Sequence, residues 1–421
     1  MKRYLWGWLG LTAVLVLAVA VFNAIVDPYG LIRSVDRAGF NRVKPAAGAH
    51  GAMAKAYQVL RVQPGALILG NSRAEVGFDP QHPAWPAAAQ PVFNLALPGT
   101  DTSTSVQSLQ HVLASAAGGH PHLVVWGVDF MDFLVDPRMP PASPFGAGSG
   151  GRWLTQNDGA ANPARWRQQL RDHTESTLTV GALLDSVQTL ASQHNAYASD
   201  LTPLGFNPMH DYIKISADEG YWNVFQQKDV ANLQTYLRRP KSILDAGGRS
   251  SYALENLRRV IRLCQQNGIE LHVVVYPYHA HLMEIMRLAG QWAAFEDWKR
   301  ALVRTVEQAS APGQHVPLWD FSGFNRYANE DIPPRGDRHS AMQWYWEAGH
   351  FKSALGGLVL DRVLGHGAPD PTWGVQLHSA NLEAHIAALQ AQERDYRLSH
   401  AADVQALEAL ASQAKERVPS R

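Results

Sequence analysis

Residues 122–128 (HLVVWGV) constrain the fold of this chain more than any other stretch. Side chains alternate between the two faces of a strand, and here every position after His122 is apolar or glycine. Neither face is suited to water, so the strand must be covered on both sides, the pattern of a parallel sheet rather than a half-wet antiparallel one. Four more short apolar runs have the same character: residues 66–70, 91–95, 270–276 and 316–320. Between and around them, helical periodicity marks residues 52–62, 105–117, 250–267, 280–309 and 347–364. Alternating strands and helices predict an α/β fold, a doubly wound (flavodoxin-like) parallel five-stranded sheet with helices on both faces.

The N-terminus sets the address of that domain. Lys2 and Arg3 precede an apolar run that reaches Val26, interrupted chiefly by Thr12 and Asn23. About 20 apolar residues suffice to span a bilayer, and basic residues before the span favour a cytoplasmic N-terminus. The competing reading is a cleaved signal peptide, with Ala18-Val19-Ala20 as its small-residue site. The apolar run continues past Ala20, where a cleaved peptide would turn polar, so an uncleaved anchor is expected. The expected location is a bacterial inner membrane, single-pass, with the bulk of the chain periplasmic. Residues 1–30 form the anchor and juxtamembrane connector, residues 47–366 the α/β domain, and residues 375–418 a helical tail. The tail reads as a helical hairpin or a partner-binding helix. Residues 135–246, where Pro, Gly and Ser crowd 139–151, read as a long, partly helical insertion. Lys+Arg and Asp+Glu balance at 37 each, which argues against a nucleic-acid partner. The single cysteine, Cys264, excludes an intramolecular disulfide and a cysteine zinc cluster.

Open α/β sheets bind ligands beyond the carboxyl ends of their strands, so polar residues just after a strand are the candidates for chemistry. Asn71, Ser72 and Arg73 follow the first strand, Gly99 and Thr100 the second, and Asp129 the third. His279 and His281 follow the fourth, and Asp320 ends the fifth. Farther on, Glu347 and His350 stand three apart, on one face if helical. A carboxylate beside a histidine fixes its tautomer and stabilises the imidazolium, as a serine nucleophile requires of its base. Taken alone, Ser72 reads more readily as a helix N-cap completed by Glu75 than as a nucleophile. Arg73 suits a substrate carboxylate or phosphate, or an ion pair with Glu75 or Asp79. Asp337 and His339 are a rival acid–base pair on a Pro/Gly-rich loop. His279 and His281 lack a clear third ligand, so no metal or cofactor is expected, and His279 is expected to line the pocket.

The order of these parts resembles the SGNH (GDSL-like) hydrolase superfamily. The resemblance rests on Gly70-Asn71-Ser72-Arg73, Gly99, Gly127-Val128-Asp129 and Glu347-Ala348-Gly349-His350, and covers most of residues 60–366 outside the insertion. It implies Ser72 as nucleophile, His350 as base and Glu347 as its orienting acid. It also implies an oxyanion hole from the N–H groups of Ser72 and Gly99 and an asparagine side chain. Here Asp129 stands where that asparagine is expected. An ionised carboxylate donates no hydrogen bond, so either Asp129 is protonated or it points elsewhere and two backbone donors remain. More narrowly, the chain is similar to membrane-anchored bacterial relatives that modify surface polymers, some implicated in O-acyl transfer. That branch implies an acylated surface glycan as substrate and a membrane acyl-donor protein as a partner. Hydrolysis and transfer both stay open. The reading from another class is a catalytically silent relative, kept as a glycan-binding or assembly scaffold.

Overall fold

In the structure, a computed structural model, five strands pair in parallel. They are β1 (Ala66–Leu69), β2 (Val92–Asn94), β3 (Leu123–Val128), β4 (Glu270–Val275) and β5 (Leu318–Asp320), in the order β2-β1-β3-β4-β5. Residues 1–115, 119–136, 138, 150–245, 247–248, 250–311 and 313–417 are described. Most of the Pro/Gly/Ser-rich stretch, residues 139–149, therefore lies outside the described residues, as do the end of the helix expected at 105–117 and the final residue of the predicted tail. Every residue of β1 and β3 is buried, as the uniform apolarity of 122–128 requires.

The sheet has six strands rather than five. After the hairpin β6 (Tyr345–Glu347) and β7 (His350–Phe351), the short strand β8 (Val375–Gln376) pairs antiparallel with β5. An open β5 edge would leave unpaired backbone groups, and two residues from the predicted tail cover it. A strand of two residues has no period to detect, which is why the sequence hides it.

Before the sheet come α1 (Lys2–Val26) and α2 (Gly51–Val62); α3 (Ser72–Gly77) follows β1 and α4 (Thr102–Leu113) follows β2. The described part of the insertion is partly helical, with α5 (Arg165–Leu178), α6 (Val180–Ala191), α7 (His210–Glu219) and α8 (Tyr221–Arg238). Next come α9 (Tyr252–Gln266), α10 (Ala280–Leu288), α11 (Trp292–Ala309), α12 (Ser353–Leu364), α13 (Leu382–Ser399) and α14 (Ala401–Arg417). The helices expected over 280–309 are two, divided where Gly290 adopts φ +76°. The helix expected from residue 347 begins only at Ser353. The aromatic run Trp344-Tyr345-Trp346 prefers extended backbone, and residues 345–351 form the β6–β7 hairpin instead.

Glycines set how closely the site elements approach. Gly70, after β1, has φ +143°, and a Cβ there would lie 2.4 Å from the Tyr276 hydroxyl. A Cβ on Gly127 would lie 2.2 Å from the Tyr276 ring, so that ring fills the space under the ends of β1 and β3. A Cβ on Gly356 would fall 1.8 Å from the Gly77 carbonyl oxygen. Thus α12 and α3 meet backbone to backbone. Away from the sheet, α1 is 25 residues long and contains an 18-residue stretch of mean hydropathy 2.6, long and apolar enough to cross a membrane.

Candidate functional site

Asn71, not Ser72, caps α3: its side-chain oxygen accepts the Arg73 N–H at 3.1 Å. Ser72 is the first helical residue, and its hydroxyl is left for another partner. That partner is His350, whose Nε2 lies 2.8 Å from Ser72 Oγ. Glu75 does not complete a capping box. It is buried and accepts from Lys55 Nζ at 2.8 Å.

Glu347 closes β6 and His350 opens β7, so the turn between them brings acid and imidazole together. His350 Nδ1 hydrogen-bonds Glu347 Oε1, and Glu347 Oε2 accepts the Gly349 N–H at 2.7 Å. Glu347 is 2 % exposed. Burial pushes its carboxyl up, but the His350 charge and hydrogen bond, the Gly349 N–H and the Lys228 ammonium together bring it down to about 2. The carboxylate is therefore ionised throughout the neutral range, as is needed to hold Nδ1–H in place and leave Nε2 facing the serine. The rival pair has a different arrangement: the Asp337 carboxylate accepts the N–H groups of His339 and Ser340 in an exposed loop.

Asp129, 3 % exposed, is surrounded by donors. Arg73 pairs with its Oδ2, Asn71 Nδ2 donates to the same oxygen at 2.9 Å, and Tyr278 Oη donates to Oδ1 at 3.2 Å. The Arg73 guanidinium also sits 5.4 Å from the Tyr278 ring centroid. Both carboxylate oxygens of Asp129 are thus taken up by donors from Asn71, Arg73 and Tyr278. Two of these partners, Asn71 and Arg73, are the residues on either side of Ser72, so Asp129 ties down the side chains that flank the serine.

Gly99 lies in the turn after β2 with φ +68°, and no atom lies within 4 Å of where its Cβ would be. The turn starts beside the serine loop, where the Leu97 N–H donates to the Gly70 carbonyl at 3.1 Å. Ser72 at the start of α3 has an N–H outside the helical ladder. The buried Lys55 ammonium ties the two sides together, donating to Glu75 on α3 and to the Ala96 carbonyl at 2.6 Å. Asn94 adds a second tie, with Nδ2 bonded to the carbonyls of Ala74 and Phe78 at 2.9 Å each.

His279 meets Tyr345, two residues before Glu347. It caps α10, is 2 % exposed, and its ring meets Tyr345 edge-on with centroids 5.0 Å apart. Burial and the neighbouring His281 lower its pKa to about 3, so it is a neutral packing residue at physiological pH. His281 Nδ1 bonds Asp229 at 2.7 Å.

Lys55, Tyr276, Tyr278 and Lys228 do not stand out by sequence reasoning. Lys55 carried the one available signal, a lone charge in the apolar stretch of α2 (GAMAKAYQVL). The two tyrosines follow β4 directly, but only the fold brings them under Asn71 and Asp129. Neither a protein-family model nor a curated protein sequence matches the chain.

Proposed function

We propose that the chain is a membrane-anchored serine esterase or O-acyltransferase of the SGNH-like kind, acting outside the cytoplasm on an acylated surface glycan. The observation that carries this reading is the unbroken series Glu347–His350–Ser72, closed by a 2.8 Å contact at the serine hydroxyl. In the proposed reaction Ser72 Oγ attacks the ester carbonyl while His350 Nε2 takes its proton. The Ser72 and Gly99 N–H groups face the developing oxyanion. Collapse breaks the ester bond, and the leaving alcohol takes the proton from His350. Water or a second sugar hydroxyl then attacks the acyl-Ser72 ester with His350 again as base, which frees the serine. Glu347 stays ionised and holds the imidazole throughout.

With Asp129 engaged by Arg73, Asn71 and Tyr278, the hole has two backbone donors. One missing donor costs about two to three orders of magnitude in rate, so slow turnover is expected. The half-buried Tyr212 ring, 6.1 Å from that of Trp346 beside the acid, suits the face of a sugar.

The test is turnover of a small acetyl ester by the full chain, with fluorophosphonate labelling. Ser72→Ala should abolish labelling and lower turnover by at least about 10⁴-fold. Equal behaviour of wild type and Ser72→Ala would instead favour the silent scaffold.

A further inference from the structure

The α5–α6 hairpin of the insertion has its polarity reversed. Its inward face carries Asp172, Ser176, Ser186 and Thr189, all buried. Its outward face carries Trp166, Leu170, Leu178, Val180, Leu184 and Val187, between 49 % and 73 % exposed. A surface helix in water shows the opposite arrangement. The only charged residue of α6, Asp185, is turned inward to the Tyr29 hydroxyl at 2.8 Å.

The hairpin also lies against the end of the apolar N-terminal helix. Asn23, a fully buried polar residue of α1, donates to the Thr177 carbonyl at 3.0 Å and accepts from Ser186 Oγ at 2.8 Å. The first seventeen residues of α1 are exposed, whereas four of its last six, Phe22, Asn23, Ala24 and Val26, are at least half-buried. The outward stripe of the hairpin is thus continuous with the place where α1 enters the domain. Two exposed arginines, Arg167 and Arg171, flank Trp166 and Leu170, the pairing of cation and aromatic anchor that suits a headgroup layer.

We propose that the α5–α6 hairpin is a second membrane contact, its Leu178–Val180–Leu184–Val187 stripe embedded in the leaflet beside α1 and its arginines on lipid phosphates. The occupant of the face is the bilayer itself. This rests on α1 being a membrane span and is independent of the chemistry at Ser72. It gives the insertion a role: with two contacts, the domain is held at a fixed tilt instead of swinging on a single helix.

The test uses the full chain reconstituted into phosphatidylcholine/phosphatidylglycerol vesicles. An environment-sensitive fluorophore is attached at Leu184→Cys, Val187→Cys, Leu15→Cys or Gln405→Cys; Cys264 is buried and out of reach of the label. Nitroxides on the lipid acyl chains should quench the labels at 15, 184 and 187 by about twofold or more, given an insertion depth of about 5–10 Å. The label at 405 should be unaffected. Quenching at 184 and 187 by aqueous iodide alone would overturn the proposal. So would protection from both quenchers, which would mean that a second copy or another protein covers the face. Absence of lipid quenching at 15 as well would remove the anchor on which the proposal depends.

Discussion

At the scale of single residues, Ser72 was readable from its position after a strand, and Glu347 and His350 from residue type and their spacing of three. Their geometry was not. Spacing of three suggested one face of a helix, whereas a two-strand hairpin makes the contact. Asp129 was visible as a departure from an expected asparagine, but its partners include Tyr278, almost 150 residues away, and no local pattern reports that. The depressed Glu347 carboxyl makes the triad testable through stability. An ordinary glutamate titrates near 4.5 and Glu347 near 2. Below 4.5 the unfolded chain therefore binds a proton that the folded chain does not. The stabilisation from Glu347 is complete above pH 4.5 and is lost as pH falls toward 2, with a magnitude on the order of a few kcal/mol. Denaturant titrations between pH 5 and 2 should accordingly find wild type losing its advantage over Glu347→Gln as pH drops. A pH-independent gap between the two would mean that the carboxylate is not held ionised by His350.

At the scale of elements, β1, β3 and β4 were legible as continuous apolar runs, and α2 and α9 as periodic ones. The hairpin escaped because the three-apart spacing of Glu347 and His350 also fits a helix, and β8 because two residues have no period to detect. What the sequence also hides is the closeness of elements, since a glycine marks permission for contact without naming the partner. Gly77 and Gly356 are the instructive pair. The first would put a Cβ 2.0 Å from the Phe351 ring, and the second 1.8 Å from the Gly77 carbonyl. Phe351 directly follows His350, and Gly77 ends the helix that starts with Ser72, so this contact sets how closely Ser72 and His350 approach. Gly356→Ala should push α12 and β7 away from α3. The proposed ester turnover should fall by at least about 10-fold through kcat, because even 1 Å of misplacement can cost about 10²-fold. Thermal unfolding should drop as well. Normal kcat in a fully folded Gly356→Ala protein would mean that α12 can shift without moving His350.

At the scale of the whole molecule, the tail is where sequence and structure differ most in meaning. Leu/Ala periodicity identified helices correctly in 375–418, but an apolar face does not say what it packs against, and a partner-binding role was as compatible as an internal one. The structure turns that face inward. Leu382, Ile386, Tyr396, Val404, Leu407, Ala411 and Ala414 join the same hydrophobic core as the central strands. Polar ties follow the same route: His385 Nε2 bonds Asp320 at 2.8 Å, and Asp320 is paired with the buried Lys299. Arg397 reaches the buried Glu284 on α10. Side chains of the size of Leu382, Ile386, Tyr396 and Leu407 contribute about 1.5–3 kcal/mol each on burial, against a net domain stability of about 5–15 kcal/mol. Removing the tail after residue 378 should therefore abolish most of the stability of residues 47–366 instead of freeing a working catalytic domain. The expected product is aggregated or unfolded by circular dichroism, and the full chain should unfold with α13–α14 and the sheet in one transition by hydrogen exchange. A truncated chain that remains soluble and melts near the full-length temperature would return the tail to the role of a separable partner-binding element.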